Sequence, residues 1–154
     1  MANAEAAAHL GALGEALGIA GLDWGPEGLR SLDIGGQMVV NIQLDEAQGE
    51  LVLFAVAGSL ASTTSSTQML KLLEANRFWR GTSGATLSVD HHQPPRVILA
   101  RRCHLQAVPP ARFVAAFESF VDQLRDWSAW LAEGSALTPA PVQPGGGMPF
   151  GQFA

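Results

Sequence analysis

The chain has a single cysteine, Cys103, so no internal disulfide can form, which fits a reducing compartment. Charge is scarce as well. Only 15% of the 154 residues are charged, and the formal net charge is −5. Nine Lys and Arg are too few for the basic stripe that a nucleic acid backbone demands. They also offer little to an anionic bilayer. No apolar run approaches the ~18 residues that would span a membrane. The first residues lack a basic region and carry Glu5 and Glu15, so they do not read as a secretory signal. The expectation is a cytoplasmic protein with no nucleic acid partner and no membrane insertion.

Catalytic signatures are missing too. There is no nucleophile-elbow serine motif, no paired-histidine zinc motif, no CxxC and no glycine-rich phosphate loop. His91, His92, Cys103 and His104 are the one group of metal-capable side chains. Cys103 and His104 are consecutive in a strand-like segment, so they face opposite sides and cannot share a site. The same geometry defeats a Cys–His nucleophilic pair. Asp45 and Glu46 fall in a loop, Asp33 and Asp90 stand alone, and Arg101-Arg102 reads as a surface doublet. The chain is therefore expected to be no enzyme, with no metal and no cofactor.

What remains is apolar. At 47% hydrophobic residues, the chain suffices for one domain with one core. Residues 4–17 read as a helix, with Leu10, Leu13 and Leu17 on one stripe; Gly11 and Gly14 weaken it or allow close packing. Leu29–Ile34 is a short strand, and Gly35-Gly36 reads as a two-residue turn. In 37–44 the residues Met38, Val40, Ile42 and Leu44 alternate with Val39, Asn41 and Gln43, the period of a half-buried strand. Residues 50–57 are almost continuously apolar, which predicts a strand covered on both faces. A short helix over 68–75 follows, capped from Ser65, Ser66 or Thr67. Asn76 suits a left-handed helix end, and Arg80 to Gly84 reads as flexible. Strands over 85–90 and 96–105 flank a turn made by Pro94 and Pro95. A long helix over 110–132 carries Phe113, Phe117, Phe120, Leu124, Trp127 and Leu131 at intervals of three and four. Residues 134–154 hold four prolines, five glycines and no charge, and read as a disordered tail beyond a 1–133 domain; Phe150 and Phe153 are its only candidate docking residues.

The helix over 68–75 carries more apolar surface than one fold hides, with Met69, Leu70, Leu72 and Leu73 covering over half its circumference and Phe78 and Trp79 just beyond. That surplus, with no visible catalytic site, points to a protein-binding protein. Leu70 to Asn76 with Phe78, the small-residue segment from Gly81 to Asp90, the strand from Val97, and the final helix with Phe113, Phe120 and Trp127 together resemble the class I type III secretion chaperones of the Tir-chaperone family.

The resemblance implies an α+β fold in the order α-β-β-β-α-β-β-α, forming a homodimer without enzymatic activity, ATP or metal. Its partners are a second copy of itself and the extended N-terminal segment of secreted effectors, kept soluble and secretion-competent, with the secretion ATPase admitted as a further partner. Carried onto this chain, the resemblance assigns the dimer interface to Met69, Leu70, Leu72, Leu73, Phe78 and Trp79. It assigns effector contacts to Leu10, Leu13, Leu17, Val39 and Val52. The acidic balance favours effectors with basic flanks. The competing reading is a dimeric scaffold or regulatory protein that binds a folded partner.

Overall fold

A computed structural model describes residues 2–61 and 63–136. Its elements run α1 (Ala2–Leu17), β1 (Leu29–Ile34), β2 (Met38–Asp45), β3 (Glu50–Ser59), α2 (Ser66–Ala75), β4 (Thr86–Val89), β5 (Arg96–His104) and α3 (Pro110–Ala136). Two short helical turns, Pro26–Gly28 and Arg77–Thr82, complete the order. The α+β arrangement is the expected one. The last helix continues four residues beyond its expected end at 132 and takes in Gly134. The rest of the expected tail, with Phe150 and Phe153, lies outside the described residues.

The strands form one antiparallel sheet in the order β1-β2-β3-β5-β4. Its inner face is closed. Val40, Ile42, Leu44, Leu51, Leu53, Leu99 and Cys103 meet the stripe Phe113, Phe117, Phe120, Leu124, Trp127 and Leu131 of α3, every one of them buried. Gly58 lets α3 approach, because a Cβ there would sit 3.1 Å from Leu131. At the same point the β3–β5 ladder slips by one residue, so two β3 residues oppose one on β5.

α1 lies beside α3 and adds Ala6, Leu10 and Leu13 to the same core. His9 is buried too, its ring nitrogens 2.6 Å from the Glu5 carbonyl oxygen and 2.5 Å from that of Val108. The ring of Phe113 meets it edge-on. The two glycines of α1 differ. A Cβ on Gly14 would come within 3.0 Å of Ile19 and Leu22, whereas one on Gly11 meets nothing.

Two strand readings are corrected. The β1–β2 connection holds three residues, since Ile34 pairs with Met38; Gly35 and Gly36 both have positive φ, and Gly36 donates its N–H to Asp33. β3 is covered on one face only. Leu51, Leu53, Ala55 and Ala57 point inward, while Val52, Phe54 and Val56 point to an outer face that no described element covers.

Candidate functional site

Three open surfaces follow from this architecture. The first is built on α2 and the turn after it. Ser65 caps α2: the Gln68 N–H donates to its hydroxyl at 3.2 Å, and the Ser65 N–H donates back to the Gln68 side chain at 2.9 Å. At its other end the Asn76 amide donates to the Leu87 carbonyl and accepts from the Leu87 N–H, both at 2.8 Å, tying α2 to strand β4. Asn76 is right-handed, contrary to expectation. Phe78 and Trp79, just beyond it, are left-handed instead, with φ of 53° and 52°. Positive φ costs a bulky residue about 1–3 kcal/mol, so the surroundings must enforce it.

They do. The Trp79 N–H donates to Asn76, its carbonyl accepts from the Gly84 N–H, and its indole donates to Thr86 at 3.3 Å. The buried Thr82 hydroxyl donates to Ala85. Gly81 lies so close to Ala75 that a Cβ would sit 2.8 Å from its Cα. The stretch expected to be flexible is therefore a hydrogen-bonded turn.

The outcome is a display of apolar side chains. Leu70 is 64% exposed, Leu73 68% and Phe78 74%, with Met69, Trp79 and Val89 also open. Leu72 does not belong with them. At 7% exposure it is the residue by which α2 packs onto the core, together with Ala75, and it has no surface to give a partner.

The second surface is the outer face of the sheet. Phe54 lies opposite Ala100 and Val56 opposite Ile98, forming an apolar centre, with Val39 and Leu29 exposed toward β1. Polar residues frame it. Ser31 donates to Asn41, and near Val52 the buried Glu50 carboxylate takes Arg102 at 2.6 Å and His104 at 2.9 Å. Phe54, Val56 and Ile98 were not singled out in the sequence. Their signal lay on neighbouring strands: Asn41, Gln43 and Arg102 share their face, and such side chains are rarely buried in a second core.

The third surface is the end of α1, where Leu17 and Ile19 are exposed beside a shallow groove lined by Gly14, Gly18 and Leu22. Leu10 and Leu13, expected to contact a partner, are 1% and 0% exposed. They are core residues because α3 lies over their stripe. Val39 and Val52 do reach the outer face, the first exposed and the second half-buried.

Cys103 faces inward and His104 outward, as their spacing required. Burial pushes the Cys103 thiol pKa up, so it is a poor nucleophile. Among the described residues, no group of three or more His, Cys, Asp or Glu side chains is placed to hold a metal ion. No described helix is long and apolar enough to cross a membrane.

A helix pair on one face of a five-stranded sheet, with a third helix at its edge, is the architecture of a family of chaperones. The family model for the Tir chaperone protein (CesT) family matches residues 9–128, and the chain belongs to that family of non-catalytic type III secretion chaperones. No curated protein matches the sequence. Solved structures share the fold. A chain of the ExsC–ExsE complex superposes with a TM-score of 0.71 at 19% identity, covering 84% of this chain and 95% of that one. The Yersinia pestis type III secretion chaperone SycH, solved with a stable fragment of YscM2, gives 0.64 at 20% identity, covering 79% and 98%. The HopA1–SchA chaperone–effector complex gives 0.66 at 15% identity, covering 85% and 95%.

Proposed function

We propose that this protein is a homodimeric chaperone that holds the extended N-terminal segment of a secreted effector and keeps it soluble for export from the bacterial cytoplasm. The carrying observation is the rigid outward display of Met69, Leu70, Leu73, Phe78 and Trp79 beside a separate open sheet face. Apolar patches of that kind are rare on a protein that works alone. The α2 patch gathers these side chains on one short helix and the turn after it, and suits a second copy about a two-fold axis. The outer sheet face, with Val39, Val52, Phe54 and Val56, suits an extended segment that drops alternate side chains onto it. The exposed Leu17 and Ile19 extend the path of that segment at the end of α1. The complexes formed by structurally similar chains, a chaperone with its effector among them, support this reading.

The test is co-expression with a candidate effector, followed by sedimentation and limited proteolysis. The expected product is a complex with two copies of this chain and one partner segment protected only when bound. Leu73→Asp should leave the protomer folded and abolish the dimer, because it would bury an unpaired carboxylate in the interface. A wild-type protein that sediments as a monomer at micromolar concentration overturns the dimer. Protection of a folded partner domain, rather than an extended segment, overturns the effector reading and favours a scaffold.

A further inference from the structure

We propose that the cleft between the end of α2 and helix α3 receives an acidic stretch of the bound partner segment, with aliphatic side chains beside its carboxylates; this rests on the function proposed above. The cleft has a volume of about 700 Å³ and is walled by Lys71, Glu74, Arg77, Phe78, Arg80 and Trp127. That is the size of a pocket for a small ligand, enough for several side chains of a peptide.

The charges single it out. Five of the nine cations of the chain donate to an acceptor: Arg30 to Asp23, Arg96 to Asp90, Arg101 to Ser83, Arg102 to Glu50 and Arg125 to Asp122. Lys71, Arg77, Arg80 and Arg112 have no acceptor among the described residues, and the first three all line this cleft. Lys71 lies 5.6 Å from the centre of the Trp130 ring, a contact that leaves its donors open. Three cations thus face one carboxylate, Glu74, in a protein whose net charge is −5.

Clustered like charges beside aromatic walls are relieved by an incoming anion. Carboxylates are the natural match, because a guanidinium binds them through a two-pronged fork. Phosphate-rich nucleic acid fits poorly, since the rest of the surface is acidic. Trp127, on the α3 wall, then offers apolar contact to aliphatic neighbours. A basic or purely apolar segment would cover the arginines without pairing them, which costs free energy. The overall charge favours partners with basic flanks, and the cleft reverses that preference locally. The turn carrying Arg77, Phe78 and Arg80 is fixed by Asn76 and by the close packing of Gly81 on Ala75, so the site is formed before a ligand arrives.

The experiment uses three short fluorescein-labelled peptides alternating leucine with glutamate, glutamine or lysine, titrated against the whole chain by anisotropy. The glutamate peptide should bind, with affinity falling as salt rises. Arg77→Glu with Arg80→Glu should weaken it about tenfold or more. Arg112→Glu, on α3 away from the cleft, should leave it unchanged. Equal or tighter binding of the lysine peptide overturns the proposal, as does an equal loss with Arg112→Glu. If the double variant sediments as a monomer while wild type is a dimer, a second copy fills the cleft and the proposal also falls. If the double variant dimerises and protects the effector segment as wild type does, the chaperone reading stands and the cleft assignment alone fails. If wild type binds the glutamate peptide but protects no secreted partner, the cleft chemistry stands and the chaperone reading fails.

Discussion

Helices α1 and α2 both carry leucines at helical spacing, and they point them in opposite directions. In α1 the residues Leu10 and Leu13 are sealed beneath α3, while in α2 the residues Leu70 and Leu73 stand in solvent. The difference comes from position. α1 lies across α3 on the closed side of the sheet, so its stripe finds a second layer. α2 stands beyond the edge strand β4, where only Leu72 and Ala75 can reach the core. Apolar periodicity therefore identifies a helix, and location decides whether its apolar residues hold the fold or stand open to solvent.

The sharpest way to break that contrast is to truncate one leucine of each helix. Leu13→Ala should lower the unfolding free energy in urea by about 2–5 kcal/mol, because it leaves a cavity in a packed core. Leu73→Ala should change the protomer by less than ~0.5 kcal/mol. Equal losses, measured at a concentration where both variants are monomeric, would dissolve the distinction. The glycines of α1 give a finer test. Gly14→Ala should destabilise by about 1–3 kcal/mol, because its Cβ overpacks Ile19 and Leu22. Gly11→Ala has open space and should stabilise by ~1 kcal/mol. Thermal melts that move in the same direction would refute the packing account.

On α2, Ser65→Ala removes the capping hydroxyl and should cost about 1 kcal/mol. The loss should appear as faster amide exchange in the first turn of α2, with α1 unaffected. The smallest effect is at the β4–β5 turn. The Arg96 N–H, with its guanidinium and the His92 N–H, holds the Asp90 carboxyl at about 2, below the usual 3.8. A depressed carboxylate adds stability above its unfolded value and loses it as pH falls through the folded one. The gap in stability between wild type and Asp90→Asn should be full above about pH 4 and close as pH approaches 2. A gap that does not vary over that range would show that Asp90 acts through packing.

Much of the fold was legible because it depends on local periodicity. The stripe of α3 and the alternation of β2 predicted their buried faces residue by residue. The outer face of β3 was not legible because its outward Val52, Phe54 and Val56 are as apolar as its inward Leu51 and Leu53, so its own sequence cannot tell a covered face from an open one. Leu10, Leu13 and Leu72 failed as contact residues for the same reason. The turn Arg77–Thr82 was hidden by its composition. Gly81 and Gly84 suggest freedom, and the bonds that remove it come from Asn76, Thr82 and Thr86, which is visible only once the chain is folded.

The double hydrogen bond of Asn76 to Leu87 has a further consequence. An edge strand is a template that any extended chain can copy. Leu87 sits in the middle of the four-residue edge strand β4, and both of its outward main-chain groups are already taken by one side chain. At that residue the edge is capped by a single amide. An extended chain that meets the edge at Leu87 finds no free main-chain group there to pair with.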